Sequence, residues 1–185
     1  LRDWAEQRAP AMGMPVSALQ AYAYAARVAQ VENPDCHLAW TTLAGIGMVE
    51  SHHGTYRGAD IAANGDVSPP IRGVRLDGTN GNLAIFESSE SVDGEPVYAR
   101  AMGPMQFIPE TWRLYGVDAN NDRVVSPDNF DDAALSADDA QAQRALLQAA
   151  MVAALDSRAY EAALWYAART GSGEAMSRVI ERGCN

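Results

Sequence analysis

Residues 40–54, WTTLAGIGMVESHHG, constrain this chain more than any other stretch, because they set one carboxylate in an otherwise apolar helical pattern. Leu43, Ile46 and Gly47 stand seven, four and three residues before Glu50. On a helix that spacing puts all four on one face. The face is too apolar for solvent, so Glu50 is expected to point toward a core. Ser51, His52, His53 and Gly54 read as a polar break, with Gly54 suited to the left-handed conformation that ends a helix. A carboxylate at the end of a buried helix is well placed to donate a proton, because burial disfavours its charged form and raises its pKa. A Glu in such a helix also serves simply to cap a loop or to pair with an Arg. This stretch alone leaves both readings open.

The bulk properties exclude several classes. A chain of 185 residues holds one substantial core, and residues 1–185 are expected to form a single domain. A net charge of −10 argues against nucleic acid as a partner, since phosphate binding needs a basic surface. No apolar run reaches the roughly 18 residues that would cross a bilayer. All 14 basic residues are Arg. The chain begins at Leu1, which is the expectation for a processed piece of an exported protein. Cys36 and Cys184 flank most of the chain and lie outside any CxxC or Cys/His ligand pattern. Their position leaves two alternatives open. One is a disulfide closing a very long loop, which stabilises by about 4–5 kcal/mol in the chain-entropy model. The other is a pair of thiols.

Around the central stretch the chain alternates between helical and irregular pieces. Residues 1–14 read as a short leading segment with Pro10 and Gly13 as turn formers. Pro15 suits the first turn of a helix over 15–32, with Tyr22 and Tyr24 as packing residues. Residues 58–95 are rich in turn pairs such as Asn64-Gly65 and Asp77-Gly78, with short strands predicted at 71–76 and 83–86. Residues 100–116, RAMGPMQFIPETWRLYG, predict a tight turn at Gly103-Pro104 leading into a short helix, then a second helix opened by Pro109. Gln106 is an amide among Met102, Met105, Phe107 and Ile108, so it needs a hydrogen-bond partner, either backbone or a polar ligand.

Residues 118–132, DANNDRVVSPDNFDD, follow the spacing of an EF-hand-like calcium loop. Asp118, Asn120 and Asp122 supply oxygens at loop positions 1, 3 and 5, and the Val124 carbonyl stands at position 7. Arg123 replaces the usual glycine, and Asn129 stands where a bidentate Glu is usual; Asp131 and Asp132 follow. Arg123 could itself offset the carboxylates, so spacing leaves a bound ion and an ion-free acidic turn equally open. Helices are predicted over 133–155, 160–170 and 173–182.

VESHHG followed about fifty residues later by RAMGPMQFIPETW, together with the acidic loop, resembles the lytic transglycosylases of the membrane-bound type B group, in the form common in actinobacteria. The resemblance runs over roughly residues 15–135 and includes AYAYA, CHLAWTTLAGIG and SPPIRGVRLDG. It implies a mainly α, lysozyme-like helical domain with a turn-rich small β insertion at 58–95 and an EF-hand-like loop at 118–132. It implies that Glu50 is the catalytic acid, that Ser51, Met105, Gln106, Phe107 and Tyr166 bind substrate, and that Asp118, Asn120, Asp122, Val124 and Asp132 hold a structural Ca2+. The family's late Tyr-Asn pair is matched only by Tyr166-Ala167. The family's usual second Cys is absent from its place, which leaves Cys184 as the candidate disulfide partner of Cys36. The implied activity is cleavage of the β-1,4 bond between N-acetylmuramic acid and N-acetylglucosamine in peptidoglycan, by a monomer outside the cytoplasm. A hydrolytic muramidase, with a second carboxylate from Asp60, Asp66 or Asp77, and a non-catalytic wall-binding or calcium-binding module are the alternatives.

Overall fold

The computed structural model describes residues 1–32, 34, 38–79, 82–92 and 95–137. Cys36, Tyr166, Cys184 and the predicted helices beyond 137 lie outside the described residues. The described part is mostly helical, with five α-helices and three two-stranded sheets.

The leading segment, read only as a short piece with two turn formers, is a helix: α1 spans Arg2–Met12. Pro10 sits in its last turns on the exposed side, and Gly13 ends it with φ 68°, its N–H bonding back to the carbonyls of Ala9 and Pro10. Proline disrupts a helix by removing a donor and crowding the preceding turn. So near the end, that disruption touches little. Ala5 and Ala9, one turn apart, are buried, and Trp4 meets Trp40 edge to face at 5.7 Å.

α2, Val16–Glu32, is the axis of the core. It packs against α1, against α3 (Trp40–Ser51) and against α5 (Phe130–Ser136). Its buried stripe is mostly alanine (Ala18, Ala21, Ala25, Ala26 and Ala29), with Leu19 and Tyr22 as the large members. Small side chains let three helices approach one another closely, and the two large ones fill the space between. Tyr22 is fully buried as expected, but Tyr24 is exposed. Tyr22 needs Gly47 on α3, because a Cβ there would stand 1.8 Å from the Tyr22 hydroxyl. Phe130, at the start of α5, closes on Tyr22 edge to face at 5.4 Å.

Between α3 and α4 (Pro109–Tyr115) the chain forms three antiparallel pairs. β1 (Asp60–Ile61) pairs with β2 (Val67–Ser68). β3 (Arg72–Arg75) pairs with β6 (Arg100–Met102) across a register irregularity. β4 (Phe86–Val92) pairs with β5 (Glu95–Tyr98). β3 falls where a strand was predicted. β4 begins only at the last residue of its predicted strand.

The tight turn expected at Gly103-Pro104 is present, but the short helix expected after it is not: 103–106 is one four-residue turn, across which Met102 and Phe107 exchange backbone hydrogen bonds of 2.8 and 2.9 Å. Gly103 has φ 73°, and a Cβ there would stand 1.7 Å from the Pro127 carbonyl oxygen. That close approach bolts the turn to the acidic loop. A bidentate pair from Arg72 to Asp128 ties β3 to the same loop.

Candidate active site

α3 delivers Glu50 as its sequence implied, with Leu43, Ile46 and Gly47 buried on the shared face. The helix stops two residues earlier than expected. His52, not Gly54, is the left-handed cap, with φ 52°, and the N–H groups of His52 and His53 return to the carbonyls of Met48 and Gly47. His53 and Gly54 continue in the left-handed region at φ 58° and 80°. His53 is no solvated loop residue: it is 2% exposed, and its Nδ1 lies 3.2 Å from the Tyr22 hydroxyl. Burial, reinforced by His52, lowers its pKa to about 4 and keeps it neutral.

Glu50 is half-buried as a residue, but its Oε1 is fully buried and receives no hydrogen bond from a described residue. No described residue forms an ion pair with it either. Capping and Arg pairing, the structural roles open to such a Glu, are therefore both missing among the described residues. With burial acting alone, the pKa of Glu50 is pushed up to about 8. An acid protonated near neutrality, with one edge reachable, can give a proton to a bound oxygen.

Ser51 joins the two sequence motifs. Its hydroxyl donates to the Pro104 carbonyl at 2.6 Å and accepts from the Gly54 N–H at 2.7 Å. This fixes the residue after Glu50 to the turn that carries Gln106. Ser51, Met105 and Phe107, which the resemblance implies bind substrate, are each fully buried. They support the site from behind, Phe107 through an edge contact with Trp112 at 5.2 Å. Gln106 is partly exposed. Its backbone is left-handed at φ 52°, a conformation that costs a non-glycine residue of order 1–3 kcal/mol. Its Nε2 donates to the Gly103 carbonyl at 2.8 Å, which is the backbone partner considered above. Its Oε1 lies over Gly73, where a Cβ would stand 2.9 Å away. Sequence analysis did not foresee the buried Tyr22–His53 pair behind the end of α3. The one signal for them in the sequence was Gly47, a missing side chain on the Glu50 face.

The three aspartates considered as second carboxylates are all engaged. Asp60 accepts from Ile61 N–H, Asp66 from Asn64 and Asn129, and Asp77 from Thr79. The Thr79 hydrogen bonds hold the Asp77 carboxyl below its ordinary value. A cavity of about 400 Å³ between α2, α4 and α5 is lined by Val28, Glu32, Leu114 and Leu135 among others; Glu50 is not part of it.

The acidic loop bends sharply, with Asn121 and Arg123 left-handed at φ 59° and 71°. Arg123 thus takes the conformation for which glycine is usual. The loop's side-chain oxygens face inward onto its own N–H groups. Asp118 accepts from Asp122 and Arg123, Asn120 from Asp122, and Asp122 from Val124. Asp132, fully buried, accepts from Ala119 at 2.8 Å and Ser126 at 3.0 Å. The turn and its hard oxygen donors suit calcium. Among the described residues, however, no three His, Cys, Asp or Glu side chains gather closely enough to hold a metal.

No protein-family model matches the chain, and no curated protein or solved structure matches it.

Proposed function

We propose that this chain is a peptidoglycan lytic transglycosylase built on a lysozyme-like helical domain, with Glu50 as its catalytic acid. One observation carries the reading: a carboxyl with one oxygen buried and unbonded, its pKa raised to about 8 by burial alone, at the end of the helix that bears the VESHHG motif. The resemblance of VESHHG and RAMGPMQFIPETW to the type B group supplies the substrate. Most glycosidases use two carboxylates. The one-acid mechanism used here follows from the resemblance, because the sugar's own C6 hydroxyl can serve as the internal nucleophile. Glu50 protonates the glycosidic oxygen as the bond from the muramyl C1 breaks. The C6 hydroxyl of the same sugar then closes on C1 and returns its proton to the Glu50 carboxylate. The product is a 1,6-anhydromuramyl end, and the acid is regenerated.

The same resemblance places the protein outside the cytoplasm, acting as a monomer on glycan strands. Among the described residues no helix is long and apolar enough to cross a membrane. Calcium belongs to the proposal as a structural ion, held by Asp118, Asn120, Asp122, the Val124 carbonyl and Asp132; when bound it would neutralise the loop's carboxylates. None of the chemical steps uses it.

Digestion of purified peptidoglycan by this chain and by Glu50→Gln, followed by mass spectrometry, tests the reading. Products lighter by one water than hydrolytic fragments, lost at least about 100-fold in the variant, are expected. Water-added products would assign a muramidase instead. No Glu50-dependent product from folded protein would leave a wall-binding module.

A further inference from the structure

We infer that Arg57, on the turn that follows the acid's helix, recognises a carboxylate carried by the muramyl arm of the substrate. This rests on the peptidoglycan reading and names a recognition element within it.

Most arginines among the described residues have a partner. Arg2 pairs with Glu6, Arg72 with Asp128 and Arg75 with Asp77. Arg8, Arg27 and Arg100 donate to Trp4, Gln30 and Gly73, and Arg113 is also engaged. Arg123 lies within the acidic loop. Arg57 is different. It is exposed, makes no hydrogen bond or ion pair with a described residue, and lies near the end of the helix that carries Glu50.

Arg57 is nevertheless held in place. Its guanidinium lies over the Tyr56 ring, 5.3 Å from the centroid. Tyr56 in turn is stacked with His52, with the rings 14° from parallel and 6.3 Å apart. His52 is two residues from Glu50, so the stack begins where the acid's helix ends. The intervening turn is packed down, since a Cβ on Gly54 would stand 2.8 Å from the Phe130 ring. Arg57 itself is held at φ 56°, a left-handed conformation that persists only where the surroundings over-determine it.

A guanidinium that rests on an aromatic ring keeps its in-plane N–H donors free. That planar fork matches a carboxylate with two parallel hydrogen bonds. Holding it in place beforehand lowers the ordering cost of binding. The choice of ligand follows from charge. A chain of net charge −10 repels a carboxylated polymer over most of its surface. A cation with no counter-charge among the described residues, on the turn after the acid's helix, attracts that polymer locally and sets its orientation. In the wall polymer such a carboxylate is either the lactyl acid of a peptide-free muramyl residue or an acid group of the attached peptide. Both offer Arg57 the same chemistry.

Three substrates separate the cases: peptide-bearing strands, the same strands with their carboxylates converted to amides, and strands stripped of peptide so that the lactyl acid is free. Arg57→Ala is expected to raise KM by about 10–100-fold with kcat unchanged on a carboxylated substrate, the scale of one charged hydrogen-bonded pair. It should leave KM on the amidated strands as in the parent. Arg57→Lys, which keeps the charge without the fork, should recover part of the loss. A rise on peptide-bearing strands alone assigns the peptide acid, and a rise on stripped strands alone assigns the lactyl acid. An equal rise on amidated strands, or no rise on any, overturns the inference. Calorimetric binding of carboxylated and amidated muropeptides to the parent chain and to Arg57→Ala reads recognition without turnover. Arg57-dependent binding without cleavage would sink the transglycosylase reading alone. Cleavage without Arg57 dependence would sink only this inference.

Discussion

The end of α3 and the acidic loop are built from the same backbone device and treat their carboxylates in opposite ways. Each makes its turn with non-glycine residues in the left-handed region: His52 and His53 in one, Asn121 and Arg123 in the other. In the loop, the oxygens of Asp118, Asp122 and Asp132 all receive backbone N–H groups. Beside α3, Glu50 Oε1 receives none from the described residues, and burial alone sets its pKa. An acid surrounded by donors organises the chain around it, and at Asp132 those donors oppose a burial that still raises the carboxyl's pKa. An acid deprived of donors has only burial acting on it and is held as a proton source. Acidic sequence alone therefore separates structure from chemistry less well than the presence of donors does.

Removing the two kinds of acid should have opposite consequences for stability, and this is the largest effect the comparison implies. Asp132→Ala strips partners from the N–H groups of Ala119 and Ser126, at on the order of 1–3 kcal/mol for each buried group left unmade. A loss of about 2–4 kcal/mol in denaturant unfolding is expected. Glu50→Gln removes a carboxyl that no described residue is seen to stabilise, so at pH 8 its melting temperature should be no lower than that of the parent. A large loss in Glu50→Gln would mean that the carboxyl has a structural partner, and the contrast would fail.

The next effect is a pH dependence whose sign differs between neighbours. Glu50 has a folded pKa of about 8 against an ordinary 4.5, so the folded chain keeps a proton that the unfolded chain releases within that window. Stability from this group is fully present below 4.5 and is lost as the pH climbs through about 8. His53 is lowered from 6.5 to about 4, so the unfolded chain takes up a proton that the folded chain refuses. Its contribution is present above 6.5 and is lost as the pH falls through about 4. Between pH 6.5 and 8 only Glu50 of this pair titrates, and melting temperature should decline as pH rises. Glu50→Gln should flatten that decline and leave the acid-side loss intact. A variant that keeps the alkaline slope would assign it to another group. Cleavage should fall above pH 8 as the donor form is lost.

How much of this was legible beforehand follows from the same physics. The helix around Glu50 could be read because Leu43, Ile46 and Gly47 fix its buried face within a few residues of sequence. The burial of Ser51 could not, because its partner is the Pro104 carbonyl, 53 residues away. The turn at Gly103-Pro104 is legible from that residue pair, but Met105 and Gln106 favour a helix after it. The Met102–Phe107 pairing and the approach of Gly103 to Pro127 override that local preference. α1 was missed because Pro10 and Gly13 look like turn formers, and only the burial of Ala5 and Ala9 against α2 shows the helix between. The small strands have little alternation to reveal them. FESSESV in β4 is mostly polar, and it pairs through backbone groups that any sequence carries.

The smallest expected effect tests the other half of the comparison. Arg123 stands at φ 71°, where a non-glycine residue costs roughly 1–2 kcal/mol. Arg123→Gly removes that strain but adds about 0.5–1 kcal/mol of unfolded-state entropy. In chelator the melt should therefore move by only a degree or so. With calcium the two forms should separate, because the variant also removes a positive charge from a loop whose donors are otherwise negative or neutral. Saturation at about 100 times Kd stabilises a folded chain by roughly 2.7 kcal/mol. The gap between calcium-loaded and chelated melts should widen from the parent to Arg123→Gly. A melt indifferent to calcium in both forms would remove the ion from the proposal. The loop's carboxylates would then be satisfied by their own N–H groups alone, and the contrast with Glu50 would rest on hydrogen bonds without any help from a metal.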